Sequence, residues 1–305
     1  MVTFKRVGLT LALLTALASL SYSGAATTYV FRQTLPGNPV PSCSEPGSKD
    51  FTTPGVYQVT VPAGCEISAV LAGAGGGNPT DADLGGGPGG SVSFNLVSSG
   101  SPLTVVVGTA GQIAYPSSEY SGGNGGGYSL VASGNAIWGM AGGGGGAAGN
   151  GGGGGLAYSE GGSGGNPGMN GEIAPVDYGS CQDEGTGATD LQAGTDGELC
   201  PEVNTGVPTY VSVAPAGSAA LSSTFSDDSG GIAASEGNNG NGGGGGGGGG
   251  GGYYGGGYGS DGGDYDEGGG GGGGSSYVTP EATNVTETTG GGSPAETNGS
   301  VSLSW

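Results

Sequence analysis

The side chains able to do acid–base or metal chemistry in this 305-residue chain are its carboxylates, because histidine is absent altogether. Losing imidazole removes the commonest general base and the commonest metal ligand, and makes a Ser-His-Asp arrangement impossible. Paired acids stand at Asp183 and Glu184, at Asp227 and Asp228, and at Asp264, Asp266 and Glu267. Two carboxyl groups suffice for glycoside hydrolysis, one protonating the leaving oxygen while the other attacks or activates water. That division of labour needs an apolar surrounding to push the two pKa values apart, and each pair here is embedded in glycine and polar residues. They read as solvated surface acids, and the expectation is a protein without catalysis.

Calcium is the other chemistry open to them. Residues 256–261, GGYGSD, fit the first six positions of a calcium-binding nonapeptide. The match occurs once, and in a chain with 81 glycines composition alone accounts for a single GGxGxD. Asp261, Asp264, Asp266 and Glu267 are the candidate oxygen ligands, with a plain solvated loop as the alternative. Tyr253, Tyr254, Tyr258 and Tyr265 share this stretch, where amphipathic rings on glycine backbone serve either as a binding surface or as a cover over apolar core ends.

Export decides how the four cysteines are read. Lys5 and Arg6 precede an apolar stretch from Val7 to about Leu20, and small residues follow at Ser23, Gly24, Ala25 and Ala26, the pattern of a signal peptide spanning 1–25. The stretch is shorter than the ~20 residues that span a bilayer. An even set of cysteines in an exported chain implies two disulfides. Of the three pairings, Cys43 with Cys65 and Cys181 with Cys200 close short local loops and are favoured, although spacing alone leaves connectivity open. Zinc fits poorly, since four-cysteine sites come as closely spaced pairs.

Removal of the signal leaves Arg32 and Lys49 as the only cations against 25 carboxylates. Phosphate recognition requires Lys or Arg, so nucleic acid and anionic lipid are excluded as partners, while cationic groups and divalent ions are attracted. Sequons at Asn284 and Asn298 matter only in a eukaryotic secretory pathway.

The elements that must position these residues are strands. Apolar residues alternate in VYQVTV from Val56, at Ile67, Ala69 and Leu71, at Val92, Phe94 and Leu96, at Leu103, Val105 and Val107, and at Val301, Leu303 and Trp305. YSLVA from Tyr128, AIWGM from Ala136 and TYVSV from Thr209 are further strands. TTYVFRQTL, 27–35, alternates too, and either pairs within its own domain or completes a neighbour's sheet. An outer-membrane barrel would also end on an aromatic strand, but long glycine tracts supply no lipid-facing band.

Between the strands lie glycine blocks such as Gly73–Gly77, Gly142–Gly155 and Gly242–Gly259 with occasional interruptions. They lack the three-residue spacing of collagen and the fixed period of a solenoid, and they disfavour helix by about 1 kcal/mol per glycine. One reading is flexible linker, because ordering a residue costs ~1–2 kcal/mol. The other is left-handed extended glycine helices bonded side by side, in which the run Gly242 to Gly252 spans about 34 Å.

The order VYQVTVPAGC, LAGAGGG, GGSVSFNL, LTVVVG, GGNGGGYSLV, AGGGGGAAGNGGGGG, an acidic insert, GGGGGGGSSYV and NGSVSLSW resembles the glycine-rich domain of the receptor tyrosine kinases anaplastic lymphoma kinase and leukocyte tyrosine kinase, and similar secreted or phage-borne microbial proteins. The resemblance runs from about Phe51 to Trp305. It implies an all-β jelly-roll sandwich of the tumour-necrosis-factor-like type whose loops bundle as polyglycine-II helices. No kinase accompanies it, and the insert at about 176–239, with Cys181 and Cys200, has no counterpart.

The expected organisation is a signal peptide (1–25), an N-terminal strand and linker (26–50) and one domain (51–305). The expected role is a secreted cell-surface or appendage protein that displays loops for adhesion to a protein or glycan, or assembles with other copies. A flexible matrix or wall protein, an ice-binding protein and a carboxylate-dependent glycan hydrolase are the alternatives.

Overall fold

The computed structural model describes residues 43, 45–79, 85–113, 121–149, 160–172, 184–189, 191–197, 244–260 and 268–305. All belong to one compact unit, Val40–Trp305. The signal segment, TTYVFRQTL and the strand from Thr209 lie outside the described residues, as does most of the acidic insert. Among the described residues no helix is long and apolar enough to cross a membrane.

Described secondary structure is all β: β1 (Ser48–Phe51), β2 (Gly55–Thr60), β3 (Glu66–Ala72), β4 (Ser91–Val97), β5 (Pro102–Val107), β6 (Ser129–Ser133), β7 (Ala136–Ala141), β8 (Tyr277–Val278), β9 (Thr283–Thr288) and β10 (Ser300–Ser304). They form two antiparallel sheets, ordered β1-β10-β3-β4-β9 and β2-β5-β6-β7-β8. The C-terminal strand is internal to the first sheet, pairing Leu303 with both Lys49 and Ala69.

Strand formation follows from period-2 patterning. Along β3, Ile67, Ala69 and Leu71 are fully buried while Glu66, Ser68 and Val70 face out. Their inward side chains meet Val92, Phe94, Val301 and Leu303 of the same sheet, and Val59, Leu103, Val105, Val131 and Trp138 of the other, in one core cluster. Two sheets sharing a core make the fold sandwich-like. Gly47 and Trp305 exchange backbone bonds of 2.8 and 2.9 Å, extending the β1–β10 ladder, and the indole lies where a Cβ on Gly47 would sit.

Away from its edge strand β2, the second sheet is also covered on its outer face. Val106, Tyr128, Leu130, Ala132 and Met140 form a separate cluster on its outer side, with Ile137, Tyr253 and Tyr277 packed over them. A disulfide joins Cys43 to Cys65 with Cα atoms 4.3 Å apart, tying the chain ahead of β1 to the start of β3. Cys181 and Cys200 lie outside the described residues.

At one end of the sandwich the strands run directly into glycine segments. Segment 73–79 continues β3, 85–90 leads into β4, 108–113 continues β5, 121–128 leads into β6, 142–149 continues β7, and 268–276 leads into β8. The glycine segments are thus anchored by a folded core.

Candidate functional site

Hydrogen bonding among these segments repeats every three residues. In 142–149, the N–H groups of Gly143, Gly146 and Gly149 donate to Gly251, Gly248 and Gly245; those of Gly144 and Ala147 donate to Ala74 and Gly77; that of Gly145 donates to Gly162. In 268–276, Gly268, Gly271 and Gly274 donate to Gly149, Gly146 and Gly143; Gly269 and Gly272 to Ser260 and Gly257; Gly270 and Gly273 to Glu172 and Met169. Successive residues therefore address three different neighbours in turn.

Acceptors complete the ring. Segment 142–149 also receives bonds from 85–90, 121–128 and 268–276, so six segments surround it: 73–79, 85–90, 121–128, 160–165, 244–252 and 268–276. Segment 268–276 is likewise ringed by 142–149, 160–165, 168–172, 184–189, 244–252 and 255–260. Both central segments are buried throughout. Most of their amides are satisfied laterally, which lowers the penalty that otherwise keeps irregular backbone out of an interior.

Only glycine permits this spacing at most positions. A Cβ at Gly144 would fall on the carbonyl oxygen of Gly87, and one at Gly146 on that of Gly123. Ala74, Ala147 and Ala188 mark sites where a methyl group is accommodated, each fully buried.

The ends of the bundle differ. The near end joins the strands. At the far end, level with Gly149, Gly245 and Gly268, lie the termini that flank 80–84, 114–120, 150–159, 173–183, 198–243 and 261–267. These stretches hold over half of the chain's 25 carboxylates. A groove of about 430 Å³ beside this end is lined by Asn78, Pro79, Ala110, Gly111, Gln112, Ile113 and Glu296.

The tyrosines divide. Tyr253 stacks on Tyr277, centroids 4.4 Å apart and planes 12° from parallel, and meets Tyr254 edge-on at 5.3 Å. It covers the outer cluster of the second sheet, and burial, then the neighbouring Tyr277 and Tyr254, raises its pKa above the usual 10.0. Tyr254 and Tyr258 are half-buried, and the Tyr258 amide donates to Asp196 Oδ1 at 3.2 Å. Tyr277 was not among the sequence candidates; its partnership with Tyr253 depends on the 275–253 backbone bond that brings the two segments side by side.

Tyr265 and the calcium candidates Asp261, Asp264, Asp266 and Glu267 lie outside the described residues, as do Asp183, Asp227 and Asp228. Among the described residues no group of three or more His, Cys, Asp or Glu is placed to hold a metal ion. Of the sequons, Asn284 is in β9 with φ 53°, and the Asn298 Oδ1 accepts a 2.9 Å bond from the Ala110 amide. No protein-family model matches this chain, and no curated protein matches it.

Proposed function

We propose that this chain is a secreted, non-catalytic display scaffold: a jelly-roll-like sandwich that holds a polyglycine-II bundle, whose far end presents acidic loops to a protein or glycan at a cell surface and allows assembly with other copies. The observation that carries the reading is the three-residue hydrogen-bond period with two fully surrounded central segments. A rigid bundle gives loops a fixed base, and a fixed base lowers the ordering cost of binding. The glycine-rich domains that the sequence resembles supply the fold names, and the chain's transfer between sheets at β1–β2, β2–β3, β4–β5 and β8–β9 supports the jelly-roll label.

Charge narrows the partner. Carboxylates concentrated in stretches that start and finish at one end favour cationic groups or calcium-bridged surfaces over nucleic acid. The test is binding of the purified full chain to cells and to protein and glycan arrays, compared with a variant in which 261–267 is replaced by glycine and serine at equal length. The reading predicts binding that the replacement abolishes while thermal unfolding is unchanged. Absence of binding, or binding indifferent to every far-end loop, contradicts display and leaves a purely structural wall or matrix role.

A further inference from the structure

Among the described residues each sheet ends on two edge strands, and three of the four are blunted. The edge strand β1 is four residues long and carries Lys49 and Asp50. On the other side, β8 has two residues, and β9 breaks register opposite Ser93 and Asn95 and contains left-handed Asn284. Short length, charge and bulges are the devices that keep sheet edges from pairing. The remaining edge, β2, has none of them: six residues, GVYQVT, in unbroken register with β5 and without charge or proline.

Its hydrogen-bonding direction follows from Pro102, which has no N–H and stands opposite Thr60. Thr60–Pro102 is therefore a non-bonded pair, the alternation of an antiparallel ladder makes Val59–Leu103 and Tyr57–Val105 bonded pairs, and Val56, Gln58 and Thr60 aim their N–H and C=O groups away from β5. Val56 is 48% exposed on the outer face, an apolar side chain that an added strand would cover.

We propose that β2 is a self-pairing edge at which two copies of the chain join antiparallel, with Gln58 on the two-fold axis. In that register Val56 faces the partner's Thr60, and each of the three outward residues exchanges both backbone bonds. Tyr57 and Val59, which face the core, fall opposite Val59 and Tyr57 of the second copy, so both the sheet and its apolar face continue across the axis. A net charge of −21 on each copy opposes the approach at low ionic strength, while screening beyond roughly 10 Å at 0.1 M salt relieves it. This inference rests on the assembly part of the proposed function, but its readout is size rather than ligand binding, so the two fail separately.

Sedimentation of the full chain at low and high salt tests it. The expected result is a dimer whose dissociation constant falls as salt rises. Gln58→Glu and Gln58→Lys each place like charges face to face on the axis and weaken pairing roughly two- to fivefold, whereas mixing the two variants restores it. Gln58 is exposed and its Nε2 bonds only Thr104 Oγ1 on the neighbouring strand, so circular dichroism of each variant should match the parent. A monomer at every salt concentration, a dimer indifferent to both charges, or a mixture that stays monomeric overturns the proposal.

Discussion

Gly144 shows how strictly the bundle is specified at the scale of one residue. Its Cα faces the Gly87 carbonyl so closely that a methyl group has no room. Gly144→Ala should lower unfolding stability by about 1–3 kcal/mol or more, the range for forced overpacking. Gly134, with φ 55° and open space around it, should lose only about 1–2 kcal/mol on the same change, through backbone strain alone. Denaturant unfolding of the two variants measures the difference. Tyr253 carries a pH dependence. Its folded pKa lies above its unfolded value, so the contribution is fully present below pH 10.0 and is lost as pH rises through the folded pKa. Thermal melts above pH 10 should fall more steeply for the parent than for Tyr253→Phe. The sequence offers this ring as binding surface or as core cover and cannot choose, because Tyr277 reaches it through lateral bonds between separate glycine segments.

At the scale of elements, strands with clean alternation were legible. β2, β3, β4 and β10 show it because one face of each is buried and the other meets solvent or small polar residues, and β5 shows it at Leu103 and Val105. The consecutive valines Val105, Val106 and Val107 carried a second message, burial on both faces, which alternation alone obscures. β1 and β9 were missed for the opposite reason. SKDF and TNVTET contain little apolar residue, and they are strands because a neighbouring edge offers them a ladder. β10 is the element on which the first sheet depends, since it bridges β1 to β3. Leu303, fully buried in the shared core, should cost about 2–5 kcal/mol on change to alanine, measured by chemical denaturation.

For the whole molecule, magnitudes show why the sandwich must come first. Ordering a glycine costs about 1–2 kcal/mol, and a lateral backbone bond returns about 0.5–1.5 kcal/mol net. A bundle made of such residues stands near balance and depends on the strands that anchor its near end. The disulfide adds to that anchor: it closes a loop of sequence separation 22, and replacing Cys43 and Cys65 together by alanine should cost about 3 kcal/mol in an unfolding titration. Composition offered glycine helices and flexible linker as two readings and could not separate them, because the bonds that bear on the choice join blocks scattered from Gly73 to Ser276. Native-state hydrogen exchange tests the account's central claim most directly. Amides of 142–149 and 268–276 should be protected to the same degree as those of β3 and β10 and be released with them in one global transition; exchange in those segments at the rate of an unstructured peptide, while the strands stay protected, would contradict it.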